Sequence, residues 1–208
     1  MKAILPTRIE VKRMLREKLS EMKNEGELPD VITFAGNGEP TMHPDFAGII
    51  DDTLFIRNEL CPGARIAVLS NSTMLHKPKV VEALKKIEDN ILKLDSGLVE
   101  TIRILDQPVG RFDLKSVVAN IKQFDGQLII QTMFIRGQFE GHLIDNTTEP
   151  ELKAWITILQ QIRPRIVMIY TIARDTPANN LQKVSTEELE TIADRVIKET
   201  RLEVQVSG

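Results

Sequence analysis

Short apolar runs alternate with amphipathic segments along the whole chain, and no arrangement constrains a fold more tightly. A capping box at Thr7 and Glu10 opens a helix reaching about residue 24, with Val11, Leu15, Leu19 and Met22 at helical spacing. Strands are predicted over residues 31–36, 65–70, 91–95, 127–135, 165–172 and 202–206. Helices fall between them over residues 44–60, 78–87, 113–124, 148–162 and 185–199, with Thr148/Glu151 and Ser185/Glu188 read as further capping boxes. Regular alternation of this kind predicts a parallel sheet covered by helices. Residues 96–110 read as irregular. Long loops are expected over residues 136–147 and 173–184, both at the C-terminal face. A chain of βα units begins with a strand, whereas this one begins with a helix, so a first strand is expected to be missing.

A hydrophobic content of 42% and a charged content of 27% suit a domain that buries a core. The net charge of -3 gives no general attraction to nucleic acid. No apolar run approaches the roughly 20 residues of a membrane span, and Met1-Lys2-Ala3-Ile4 lacks a signal-peptide core. A cytoplasmic protein is expected, with no membrane or nucleic-acid partner. Cys61 is the single cysteine, which excludes an internal disulfide and a cysteine cluster held by this chain alone.

Chemistry gathers at the strand ends. Gly36-Asn37-Gly38-Glu39-Pro40 follows the first predicted strand. Two glycines one residue apart let backbone approach a ligand, and Asn37 and Glu39 add polar groups where parallel sheets keep their sites. A plain tight turn is the alternative. The next strands end in Ser70-Asn71-Ser72, in Lys93-Leu94-Asp95, in Gln131 and more distantly Arg136, and in Tyr170-Thr171 followed by Arg174 and Asp175. Lys93 and Asp95 share a face by the period of two, and such a pair suggests a common polar pocket. For Ser70, Thr171 and Arg174 the competing reading is ordinary capping. His43, before Pro44, suits capping better than catalysis. His76 and His142 are loop residues, Cys61 reads as a small residue at a helix end, and Trp155, Ile158, Leu159 and Ile162 read as a core face.

Gly36-Asn37-Gly38-Glu39-Pro40, Leu69-Ser70-Asn71 and Lys93-Leu94-Asp95, each at a strand end, resemble the radical S-adenosylmethionine (SAM) superfamily. Within it the chain is similar to iron–sulfur oxidoreductases related to pyruvate formate-lyase-activating enzyme. The resemblance spans nearly the whole chain and takes in Gln131-Thr132-Met133-Phe134 and Ile169-Tyr170-Thr171-Ile172. It implies an α/β fold, a partial (β/α)6 TIM-like barrel of parallel strands lacking its first strand, so that residues 1–208 form an incomplete core domain. It implies SAM as cofactor, with a [4Fe–4S] cluster held in the parent enzyme by a Cys-x3-Cys-x2-Cys loop. Reductive cleavage of SAM there gives a 5′-deoxyadenosyl radical that abstracts hydrogen from a protein or small-molecule substrate.

By the same resemblance, Gly36, Asn37, Gly38 and Glu39 hold the methionine ammonium. Ser70, Asn71, Lys93, Asp95 and Gln131 contact the methionine carboxylate and ribose, and Tyr170 lies near the adenine or the substrate. The three-cysteine loop is absent, which implies a core cut just after its cluster loop and inactive alone. Two alternatives stand beside it: a non-catalytic nucleotide-binding barrel, and an aldolase-type barrel using Lys93 and Asp95 without iron. An unpaired edge over residues 31–35 would favour self-association.

Overall fold

The computed structural model describes residues 5–36, 38–110, 112–172 and 180–207. Asn37, Arg174 and Asp175 lie outside them. The chain forms two compact units, one running to Ile91 and the other from Leu92.

In the first unit, α1 (Arg8–Glu25) opens on the predicted capping box: Thr7 Oγ1 accepts from Glu10 N–H, and Glu10 accepts from Thr7 N–H at 2.7 Å. Strand β1 (Val31–Phe34) leads to a 3-10 turn at Pro40–Met42, then α2 (Phe46–Leu60), β2 (Arg65–Ser70), α3 (Pro78–Leu84) and β3 (Asp89–Lys93), whose last two residues belong to the second unit. Strands β1 and β2 are parallel, Val31 opposite Arg65. Leu19 of α1 is buried with Ile56, Cys61 and Ala64, and Leu15, Met22 and Ile32 pack against that cluster. The predicted helix start at Pro44 is corrected to Phe46, because a turn closed by Phe46 N–H on the His43 carbonyl comes first and Asp45, the N-cap, is not helical. Cys61 is the C-cap of α2, as expected of a small residue at a helix end.

In the second unit come α4 (Val99–Leu105), α5 (Leu114–Ile121), β4 (Ile129–Met133), β5 (Ile135–Phe139), β6 (His142–Asp145), α6 (Glu149–Ile162), β7 (Ile166–Tyr170), β8 (Leu181–Lys183), α7 (Thr186–Thr200) and β9 (Glu203–Ser207). Strands β4, β7 and β9 pair in parallel, in agreement with the α/β expectation. Strand β1 lies beside β2 in the first unit, and β4, β7 and β9 follow one another in that order in the second. Trp155 is 1% exposed and meets Phe134 edge-on at 5.2 Å, so the predicted core face of α6 is core. No helix among the described residues is long and apolar enough to cross a membrane.

Three sequence readings are corrected. The loop expected over residues 136–147 is an antiparallel hairpin, and β5 also pairs with β8 to make a three-stranded sheet ordered β6-β5-β8. Glu140 and Gly141, both at positive φ, form the two-residue turn that suits the twist of a hairpin. Residues 99–105, read as irregular, are α4. The predicted box at Thr148 does not form: Thr148 makes no side-chain cap, and Glu151 turns inward and accepts from Ser96 Oγ and Thr101 Oγ1. A buried carboxylate is better served by two hydroxyls than by one exposed amide.

Candidate functional site

The glycine turn stands at the C-terminal end of β1. Gly38 N–H donates to the Gly36 carbonyl at 2.8 Å, a closure over three residues. Gly36 and Gly38 have φ of 156° and 159°, at the border of the region that favours glycine. A Cβ built on either would meet no protein atom within 4 Å, so both face open space. Glu39 fixes the turn from the other side. Its Oε1 accepts from Thr41 N–H at 3.0 Å and from Thr41 Oγ1, and its Oε2 accepts from Asn71 N–H at 2.6 Å. One carboxylate thus joins the loop after β1 to the loop after β2.

Beside the turn lies a cavity of about 620 Å³. Leu5, Pro6 and Val11 wall it on the α1 side, Gly36, Gly38 and Glu39 on the turn side. The lining is mostly apolar, with a few converging polar groups, the usual make-up of a small-molecule site. Ser70 and Asn71, predicted as ligand contacts, are engaged locally: Ser70 Oγ accepts from Ser72 N–H at 3.1 Å, and Asn71 Oδ1 accepts from Thr73 N–H at 3.0 Å. Both turn the chain out of β2. Asn37 falls outside the described residues.

The second unit carries the Lys93 and Asp95 pair. Lys93 Nζ lies 2.7 Å from Asp95 Oδ2 and 2.7 Å from Asp106 Oδ1, so one ammonium bridges two carboxylates. Asp95 is 1% exposed, and its Oδ1 accepts from Met133 N–H at 2.8 Å. Burial pushes the Asp95 carboxyl up to about 7; Lys93 opposes that shift and the Asp106 carboxylate adds to it. Lys93 is held above the ordinary lysine range, because the attraction of the two carboxylates outweighs burial. Tyr170 ends β7 in this field, and burial with the Asp95 charge pushes its phenol up. The Gln131 carbonyl accepts from Leu94 N–H at 3.0 Å, which sets β4 beside this cluster. Of the residues named from the sequence, Lys93, Asp95 and Tyr170 come together here, Gln131 contributes its backbone carbonyl, and Asp106 is added, which no spacing rule connects to Lys93.

Asn146 was also missed. Its amide nitrogen donates to the Asp95 carbonyl at 2.8 Å and the Met133 carbonyl at 2.7 Å, and its oxygen accepts from Ile135 N–H at 2.8 Å. It holds the backbone that presents Asp95. Thr132 Oγ1 donates to the Leu94 carbonyl and accepts from Trp155 Nε1, which ties the same segment to α6. Arg136 serves the surface hairpin, reaching Thr147, Asp145 and Glu188. His43 bonds locally but does not cap α2, whose N-cap is Asp45: its Nδ1 accepts from Asp45 N–H at 3.0 Å.

No protein-family model matches the chain. A protein named GTPase Obg from Brachyspira hyodysenteriae is 27% identical over 180 residues, which cover 85% of this chain and 24% of that protein. A UPF0026 protein of Helicobacter pylori is 28% identical over 165 residues, 77% of this chain and 49% of that one. A UPF0026 protein of Synechocystis is 27% identical over 152 residues, 71% of this chain and 52% of that one. The chain therefore spans about a quarter of the first relative and about half of the other two. A Gly-x4-Gly-Lys-Ser/Thr phosphate loop does not occur in these 208 residues.

Among solved structures, a domain of pyruvate-formate lyase-activating enzyme from Bacteroides vulgatus superposes with a TM-score of 0.62 at 19% identity, over 85% of this chain and 98% of that one. Streptococcus suis SuiB bound to precursor peptide SuiA gives 0.70 at 14%, over 100% of this chain and 44% of that one. Archaeal TYW1 gives 0.58 at 13%, over 96% and 67%. At these identities the likeness is one of fold, and it agrees with an α/β, partial TIM-like barrel.

Proposed function

We propose that this chain carries the SAM-holding turn of a radical SAM oxidoreductase similar to pyruvate formate-lyase-activating enzyme. The observation that carries the proposal is the turn after β1, where two glycines face open space beside an anchored carboxylate and a cavity of about 620 Å³. The methionine end of SAM presents an ammonium with hydrogens to donate. A carboxylate has about four acceptor positions, and Thr41 and Asn71 take three of those on Glu39. The remaining position and the turn's carbonyls suit an ammonium. A side chain at residue 36 or 38 would take up the space such a ligand needs. Fold likeness to a domain of an activating enzyme supports the same assignment.

A [4Fe–4S] cluster does not fit this chain's own residues. Cys61, the single cysteine, is 1% exposed, and burial pushes its thiol up, away from the thiolate a cluster requires. Among the described residues, no three His, Cys, Asp or Glu side chains come together as metal ligands. The work assigned to this chain is therefore to bind and orient SAM. The aldolase-type alternative loses support from Lys93, because an ammonium held protonated between two carboxylates is not a nucleophile.

The test is equilibrium dialysis of labelled SAM against wild type and Glu39→Gln. Glutamine keeps an acceptor oxygen for Asn71 N–H and removes the charge. Wild type should bind weakly, on the order of -5 kcal/mol, and the variant at least about tenfold more weakly, the worth of one hydrogen bond to a charged group. Equal binding by the two proteins would separate Glu39 from the ammonium.

A further inference from the structure

We infer that His43 is a positioning residue that registers the segment leading into α1 against the glycine turn; the inference rests on the turn being the SAM site. His43 bonds through both ring nitrogens. Asp45 N–H points at Nδ1, 3.0 Å away, so Nδ1 is the acceptor and Nε2 carries the proton. Nε2–H then donates to the Pro6 carbonyl at 2.9 Å, across 37 residues of chain. Pro6 directly precedes Thr7, the N-cap of α1, and the first carbonyl used inside that helix is the one on Thr7, which accepts from Val11 N–H. The Pro6 carbonyl is thus available to His43.

A second tie holds the same corner. Arg8 bonds Asp52 of α2 through Nε at 2.7 Å and Nη2 at 3.1 Å. The guanidinium lies across Gly48, where a Cβ would come within 2.5 Å of Nη1. Asp52 fixes where α1 begins, and His43 fixes the residues just before it. Those residues, Leu5 and Pro6, form the cavity wall facing Gly36, Gly38 and Glu39. His43 itself follows the 3-10 turn that Glu39 caps, with its N–H donating to the Pro40 carbonyl at 3.1 Å. One imidazole therefore spans from the turn's own loop to the opposite wall, and it sets the width between them.

The two nitrogens can be removed separately. In His43→Asn the short amide reproduces the Nδ1 acceptor for Asp45 N–H and cannot reach Pro6. In His43→Gln the amide nitrogen stands near the place of Nε2 and can still donate to the Pro6 carbonyl. Hydrogen exchange and SAM dialysis are measured on the full chain for both variants. His43→Gln should keep wild-type protection over residues 5–11 and bind SAM within about twofold, whereas His43→Asn should lose that protection and bind about fivefold more weakly. A His43 that only filled space, or acted only through its bond with Asp45 N–H, would not separate the two variants in this way. Equal behaviour of the two variants, or wild-type exchange and binding in His43→Asn, would overturn the inference. Exchange that follows the expected pattern while SAM binding is indifferent to Glu39→Gln would leave His43 as the tie and reject the turn as the SAM site.

Discussion

Replacing Lys93 with methionine should destabilise the protein by about 3–5 kcal/mol at pH 8, the usual cost of removing one partner of a buried ion pair. Two carboxylates would then face each other without the ammonium that sits 2.7 Å from each. The cost should shrink at pH 5. A carboxyl pushed up to about 7 by burial is neutral at that pH, and it rises further once Lys93 is gone. In wild type, Asp95 binds its proton more tightly folded than unfolded. Its contribution to stability is therefore complete below the ordinary carboxylate range and is lost as pH rises through about 7. Lys93, also raised, contributes stability that is complete below the ordinary lysine range and is lost above it. Urea midpoints of wild type and Lys93→Met at pH 5 and 8 check both statements. The double variant Lys93→Met/Asp95→Leu should cost less than the sum of the single changes. A pH-independent cost under about 1 kcal/mol, with additive singles, would place the pair in water.

Asn146→Ala should cost a similar amount, about 3–5 kcal/mol, because three buried backbone groups lose their partners at once. These are the Asp95 and Met133 carbonyls and Ile135 N–H. The urea midpoint should fall with an unchanged slope. Asn146→Asp should not rescue it, since a carboxylate satisfies Ile135 N–H and repels both carbonyls. A cost under about 1 kcal/mol for the alanine variant would mean that water replaces the amide. The consequence extends to Asp95, whose carbonyl and side chain are held at the same point by Asn146 and Met133.

The sequence displays the α/β alternation, the Thr7 capping box, the glycine turn and the Lys93–Asp95 pair, because each is written in neighbouring residues. Period two alone puts Lys93 and Asp95 on one face. What it conceals depends on distant partners. Asn146 meets Asp95 across 51 residues and Glu151 meets Ser96 across 55, and nothing local marks either as a strut. Thr148-x-x-Glu151 has the form of a capping box, yet buried hydroxyls claim Glu151. The hairpin over residues 135–145 has a local signal in Glu140-Gly141, a turn-forming pair set between Phe139 and Leu143. It was obscured because β4 runs almost directly into β5, so that two strands read as one. Helix α4, seven residues between Gly97 and Pro108, is too short for periodicity to declare.

The central claim is that the glycine turn holds SAM, and Gly38→Val tests it most directly. The new side chain enters space that no protein atom occupies within 4 Å, so it obstructs a ligand more than it disturbs the core. Amide chemical shifts followed through a SAM titration, with a thermal melt for each protein, give the answer. Wild type should shift amides around Gly36 to Thr41 with weak, saturable affinity. Gly38→Val, strained at φ 159°, should melt below wild type, remain folded at the temperature of the titration and show no such shifts. Equal titrations in the two folded proteins would show that SAM does not sit on the turn.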